Sequence, residues 1–284
     1  MDNGQFFETS DGAYIYYEQY GRAFSETILM VPGFLCTTKF FRRNAQALAE
    51  RYHVVVMDPR GQGLSSKTLH GNTVKRCAQD IDELIEHLSL KKTVLLGWSL
   101  GCSVCLDYAV RLDKGRLAGL VLVDGSLFPL SPESWNKHRA RNYNVQNWLD
   151  TYLPLYYDAE KFYDAFISRI SNGMMSREDR TWVEEECRKT LPWTALEIHY
   201  DFCHTNNVPA LERLECPVGF FGGSSKDYGL LMLEEYQKHV HVPSRIYPFY
   251  ESGHLMFYYE AEKFNASVMS FCGEMARWSE KETT

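Results

Sequence analysis

Short, continuously apolar runs recur along the chain, separated by stretches in which apolar residues return every three or four positions. Residues 27–31, 53–57, 93–96 and 117–123 are runs of the first kind, and residues 218–222 and 245–249 resume the series after a gap. Bounded by turn residues such as Pro32-Gly33 and Asp58-Pro59, they read as strands buried on both faces. Helical spacing joins Phe41, Ala45, Leu48 and Tyr52, then Cys77, Ile81, Leu84, Ile85 and Leu88, and near the C-terminus Phe264, Val268, Phe271 and Met275. Gly115 reads as a helix stop. Aromatic and polar residues alternate on either side of Asp11-Gly12, which predicts an N-terminal hairpin. The alternation of strand and helix predicts an α/β fold, a mostly parallel sheet covered by helices on both faces.

Between about Ser126 and Arg213 that alternation stops. The stretch is mostly helical in pattern and dense in rings, among them Trp135, Trp148, Tyr152, Phe162, Phe166, Trp182, Trp193 and Phe202. It reads as a helical cap, residues 126–213, inserted into a core made of residues 1–125 and 214–284. Most of its rings must fill the cap's own interior, but a cap over a site has an underside, where some rings face the ligand.

Composition narrows the class. The 284 residues carry a formal charge of −7, which argues against a nucleic-acid partner. Met1-Asp2-Asn3-Gly4 lacks the basic and apolar regions of a signal peptide, and no apolar run approaches the ~18 residues a membrane span needs, so a soluble, cytoplasmic protein is expected. Eight cysteines are scattered. Cys102 and Cys105 form a Cys-x-x-Cys, but on a helix that must pack against the sheet they are expected to be buried thiols rather than a redox pair. No Cys/His group has zinc spacing, so neither a metal nor another cofactor is expected.

The chemistry is concentrated at Gly97-Trp98-Ser99-Leu100-Gly101. A strand that reverses sharply into a helix strains its corner residue, and the flanking glycines let two backbones pass closely. Ser99 is thereby exposed for attack on a carbonyl, with the Leu100 amide aimed where an oxyanion would form. A serine hydroxyl needs a base, and the base an orienting carboxylate. Of nine histidines, His254 in Ser252-Gly253-His254-Leu255 follows the last strand, at the edge where catalytic loops gather. His53 starts a strand at the opposite edge, His87 lies among charged helix neighbours, and His199 and His204 fall in the cap, where solvated positions are expected ahead of the alternative, a substrate-binding role. For the acid, Asp227, reached through the loop after residues 218–222, is preferred over Asp124, which directly follows residues 117–123.

Together, Val31-Pro32-Gly33-Phe34, Asp58-Pro59-Arg60-Gly61-Gln62-Gly63-Leu64-Ser65, the serine elbow and Ser252-Gly253-His254 resemble the α/β-hydrolase superfamily, most closely its small serine esterase and cofactor-free haloperoxidase-like branch. The resemblance covers both core segments but not the cap. It implies Ser99 as nucleophile, His254 as base and Asp227 as acid, with the amides of Phe34 and Leu100 as oxyanion hole. The segment Asp58–Ser65 is structural in such proteins. Pro32 stands where members usually carry a histidine that shapes the oxyanion loop.

These readings lead to a carboxylesterase-like enzyme acting on a small-molecule ester or lactone through an acyl-enzyme. Phe34, Leu35, Trp98, Leu255, Met256 and Phe257 flank the expected site, as pocket lining or as packing, which favours a substrate with an apolar or aromatic part. The same machinery could serve a thioester, a carbon–carbon bond or, as a perhydrolase, peroxide. A ligand-binding receptor on this scaffold is the alternative of a different class. The sequence leaves the acyl preference and oligomeric state open.

Overall fold

The computed structural model describes residues 3–136, 144–223 and 230–282. The N-terminal aromatic stretches pair as an antiparallel hairpin, β1 (Gly4–Glu8) with β2 (Tyr14–Tyr20). The apolar runs become β3 (Thr27–Val31), β4 (His53–Met57), β5 (Thr93–Trp98), β6 (Leu117–Val123), β7 (Val218–Gly223) and β8 (Ser244–Phe249). Among the described residues they form one eight-stranded sheet in the order β1-β2-β4-β3-β5-β6-β7-β8. From β4 to β8 every pairing is parallel, and β2 joins β4 antiparallel. All residues of β3, β5 and β7 are buried, as continuous apolar runs covered on both faces must be.

The expected helix over Phe41–Tyr52 is broken. A 3-10 turn at Thr38–Phe41 is followed by the short α1 (Ala45–Leu48). Tertiary bonds account for the break: Asp58 Oδ1 accepts from the Thr38 amide at 2.7 Å, and Asn44 Nδ2 donates to the Phe257 carbonyl and to Asn265 Oδ1. By contrast α2 (Val74–His87) follows its pattern, burying Cys77, Ile81, Leu84 and Ile85, and Thr73 caps it by accepting from the Arg76 amide. The elbow helix α3 (Leu100–Arg111) ends four residues before Gly115, whose φ of +75° turns the chain into β6. Cys102 and Cys105 are buried on α3, as expected of packing thiols.

Between β6 and β7 lie α4 (Val145–Tyr152), α5 (Pro154–Tyr157), α6 (Ala159–Ile170), α7 (Arg177–Cys187) and α8 (Pro192–His204). Two of these helices tie the insertion to the core. On α7, Asp179 accepts from Tyr258 Oη and Arg42, while Glu186 accepts from Thr37 Oγ1 and Lys39. On α8, Glu197 accepts from Asn72 Nδ2, and Asp201 accepts from the Val74 amide at the start of α2. After β7 come α9 (Leu230–Lys238), then β8, α10 (Met256–Tyr259) and α11 (Ala261–Glu282). No described helix is long and apolar enough to cross a membrane.

Candidate active site

Ser99 stands at the junction of β5 and α3 with φ +57° and ψ −121°, a region that costs a non-glycine residue about 1–3 kcal/mol. It is half-buried while its neighbours Trp98 and Leu100 are fully buried. Two close approaches hold the corner. A Cβ at Gly101 would sit 2.5 Å from the Val31 carbonyl oxygen, so only glycine lets α3 start this close to β3. A Cβ at Gly33 would sit 2.7 Å from Ser99 Cβ and 3.3 Å from Oγ, so the Gly33-Phe34 backbone runs directly across the serine. The Leu100 amide is the first of α3 and has no intrahelical acceptor. The Leu100 amide, at the start of α3, follows the serine directly, and Gly33, the residue before Phe34, is the one that packs against Ser99.

Leu35 (φ +62°) and Asp124 (φ +46°) are also non-glycine residues with positive φ, each just past the carboxyl end of a strand, β3 and β6. Three further non-glycine residues with positive φ, Ser89, Lys92 and Asn172, lie away from this edge, so the strain of Ser99 counts through its position at the β5–α3 corner. Ser99 donates its amide to the Val123 carbonyl at 2.9 Å, which binds the elbow to the residue before Asp124.

His254 is buried on the 3-10 turn Gly253–Leu255 after β8. Its Nδ1 lies 2.8 Å from Asp124 Oδ2, and Trp98 Nε1, adjacent to the serine, donates to the His254 carbonyl at 3.0 Å. A carboxylate on Nδ1 selects the tautomer with its proton there, leaving Nε2 as the basic nitrogen. The expected acid, Asp227, lies outside the described residues. The carboxylate seen on the histidine belongs to Asp124, the assignment the sequence ranked second.

The other expected pocket residues are placed unevenly. Leu35, Leu255 and Met256 are buried. Trp98 and Phe257 meet edge-on at 4.7 Å, with Phe41 and Phe264 beyond, and so form core packing next to His254. Phe34 differs: it meets Tyr152 and Phe166 edge-on at 5.8 Å each, and the His199 ring at 4.5 Å. The helices between β6 and β7 thus reach Phe34 through Tyr152, Phe166 and His199, of which only His199 was weighed from sequence for a substrate-binding role, and then set below a solvated position. His199 is buried rather than solvated.

The segment 58–65 is structural here too. Asp58 accepts from the Thr38 and Leu64 amides, and Arg60 is buried against Asp80 at 2.7 Å. Burial outweighs the two amide bonds and pushes the Asp58 carboxyl up to about 7.

A family model described as the alpha/beta hydrolase fold matches residues 26–164. The chain is 33% identical over 105 residues to an uncharacterised hydrolase of Bacillus subtilis, a match covering 36% of this chain and 38% of that relative. It is 31% identical to a non-heme haloperoxidase of Rhodococcus erythropolis over 44% of this chain and 45% of the relative. The chain thus spans less than half the length of these two relatives. Among solved structures, an esterase from Exiguobacterium antarcticum superposes with a TM-score of 0.85 at 21% identity, covering 95% of this chain and 99% of that one.

Proposed function

Because the chain belongs to the α/β-hydrolase superfamily, we propose that it is a serine hydrolase that cleaves a carboxylic ester or lactone through an acyl-enzyme. Ser99 is the nucleophile, His254 the base and Asp124 the acid, with the insertion acting as a cap over residues 33–35. The observation that carries this reading is the 2.8 Å contact of His254 Nδ1 with Asp124, at the same sheet edge as the strained serine. In the reaction, Ser99 Oγ attacks the substrate carbonyl carbon as His254 Nε2 takes its proton. Negative charge on the carbonyl oxygen is met by the Leu100 and Phe34 amides, donors fixed in place before the reaction begins. The histidine then gives the proton to the departing alkoxide, which leaves as the alcohol. Water, deprotonated by the same nitrogen, releases the acid and restores the serine. Asp124 keeps the imidazole in the required tautomer and stabilises the imidazolium while it lasts.

The test is covalent labelling of the purified protein by a fluorophosphonate, followed by intact mass. Wild type should gain one probe and lose hydrolysis of simple aryl esters, and Ser99→Ala should fold normally and gain none. A labelled Ser99→Ala would move the nucleophile elsewhere. A wild type that neither labels nor turns over aryl esters would favour the binding-only alternative.

A further inference from the structure

Trp98, the last residue of β5, is buried, and its ring is boxed in by Phe40 at 5.8 Å, Phe257 at 4.7 Å and the His254 ring at 5.1 Å. An indole has one polar atom, Nε1, and that atom can only donate. Here it donates to the His254 carbonyl at 3.0 Å, inside the protein. The ring that packs beside the base is therefore also bonded to the base's own main chain.

His254 comes to the site from a distance. β8 is the outermost strand, with β7 and β6 between it and β5. Tyr250 and Glu251, which lead from β8 to the turn Gly253–Leu255, are exposed. A turn reached this way takes its position from what it touches, not from the sheet ladder. Asp124 holds the ring of His254 through Nδ1, and Trp98 holds its main chain through the carbonyl. Both holders stand on neighbouring strands at one level: Trp98 pairs with Val123 in the β5–β6 register, Asp124 follows Val123, and Ser99 follows Trp98. A contact at Nδ1 alone would let the imidazole swing about that bond, whereas a second hold at the carbonyl fixes where Nε2 faces. Resting on the serine-hydrolase reading, we propose that Trp98 is a positioning residue for the base. Its indole N–H ties the His254 main chain to the residue next to the nucleophile, and so sets the approach of Nε2 to Ser99 Oγ. Proton transfer is sensitive to such alignment, since a misplacement of about 1 Å can cost about a hundredfold in rate.

The test separates the N–H from the bulk of the ring. Benzothienylalanine incorporated at position 98 keeps the bicyclic shape and puts sulfur where the N–H was. Its kcat on aryl esters should fall about thirtyfold, with KM within about twofold of wild type and fluorophosphonate labelling slowed in step. Trp98→His and Trp98→Phe give the converse comparison. Imidazole Nε2 has the place in its ring that Nε1 has in the indole, so the histidine keeps a donor with little of the bulk. Phenylalanine keeps more of the bulk and no donor. Trp98→His should be the less stable to denaturant and the faster in kcat, whereas a role in packing alone puts Trp98→Phe ahead in both. If either variant does not fold, the benzothienyl protein decides, because its packing is intact. A benzothienyl protein with kcat within about twofold of wild type would overturn the assignment. Loss of labelling in wild type would instead count against the hydrolase reading itself.

Discussion

The carboxyl edge of the sheet and the helical insertion are held together by different means. At the edge, position is set by the main chain: a parallel ladder, an elbow whose glycines leave no room for a Cβ, and a carbonyl-to-amide link from Val123 to Ser99. The insertion is attached through side chains. Asp179 and Glu186 grip one part of the core, Glu197 and Asp201 another, and three rings meet Phe34. A backbone-built site has few ways to relax when altered. A side-chain docking surface can exchange one contact for another. Changes at the edge should therefore decide whether the chemistry runs, and changes in the insertion should decide on what.

The sharpest break in that contrast comes from the acid. Asp124→Asn keeps the size of the side chain but no longer fixes the His254 tautomer, and kcat should fall by about 10⁴ with folding retained. Asp227→Asn should keep the higher kcat of the pair if Asp124 is the acid. Stopped assays on both variants, with circular dichroism as the control for folding, check the pair. The reverse order would return the acid to the loop after β7.

Smaller, and separable into two kinds, are the effects of packing. Gly101→Ala sets a methyl 2.5 Å from the Val31 carbonyl oxygen and should cost roughly 1–3 kcal/mol in denaturant unfolding, with labelling of Ser99 slowed as the elbow shifts. Asp201→Ala removes from α8 the acceptor of the Val74 amide, 2.8 Å away, at a cost of about 1 kcal/mol. Its labelling rate should stay at the wild-type value while preference among acyl chains changes. Equal effects of the two variants on labelling rate would erase the distinction between the regions.

The same contrast explains what could be read from the sequence. The strands, the elbow and the glycine approaches are local patterns, and they stand where residues 27–31, 93–101 and 117–123 place them. Asp124 and Asp227 were both placed after strands at one edge. Choosing between them needs the seat of the His254 ring, which depends on a bond from Trp98, 156 positions earlier. On α8, Trp193 and Tyr200 are partly exposed while Ile198, His199 and Phe202 are buried. Aromatics on both faces of that helix gave no periodicity by which to find the inner one. The ring partners of Phe34 are side chains from α4, α6 and α8, and only folding brings them together.

The last effects are electrostatic and bear on stability alone, and they should have opposite signs in the two regions. In the core, burial raises the Asp58 carboxyl from 3.8 to about 7. The folded state then binds its proton more tightly than the unfolded chain, and the contribution of this group is full below about 4 and lost as pH rises through 7. In the insertion, burial would also raise Asp179, but hydrogen bonds from Tyr258, Trp182 and Ser176 and the charge of Arg42 hold its carboxyl below the ordinary value. Its contribution is present above the unfolded pKa near 4 and disappears as pH falls through the lowered folded value. The advantage of wild type over Asp58→Asn should accordingly shrink as pH rises from 4 to 7. Its advantage over Asp179→Asn, on the order of 1 kcal/mol for a partly exposed group, should be steady across that range and shrink only below pH 4. Denaturant midpoints of the three proteins at half-unit steps from pH 3 to 8 test both slopes. Slopes of the same sign would mean that the insertion carboxylate is seated like the core one, and not held by its surface partners.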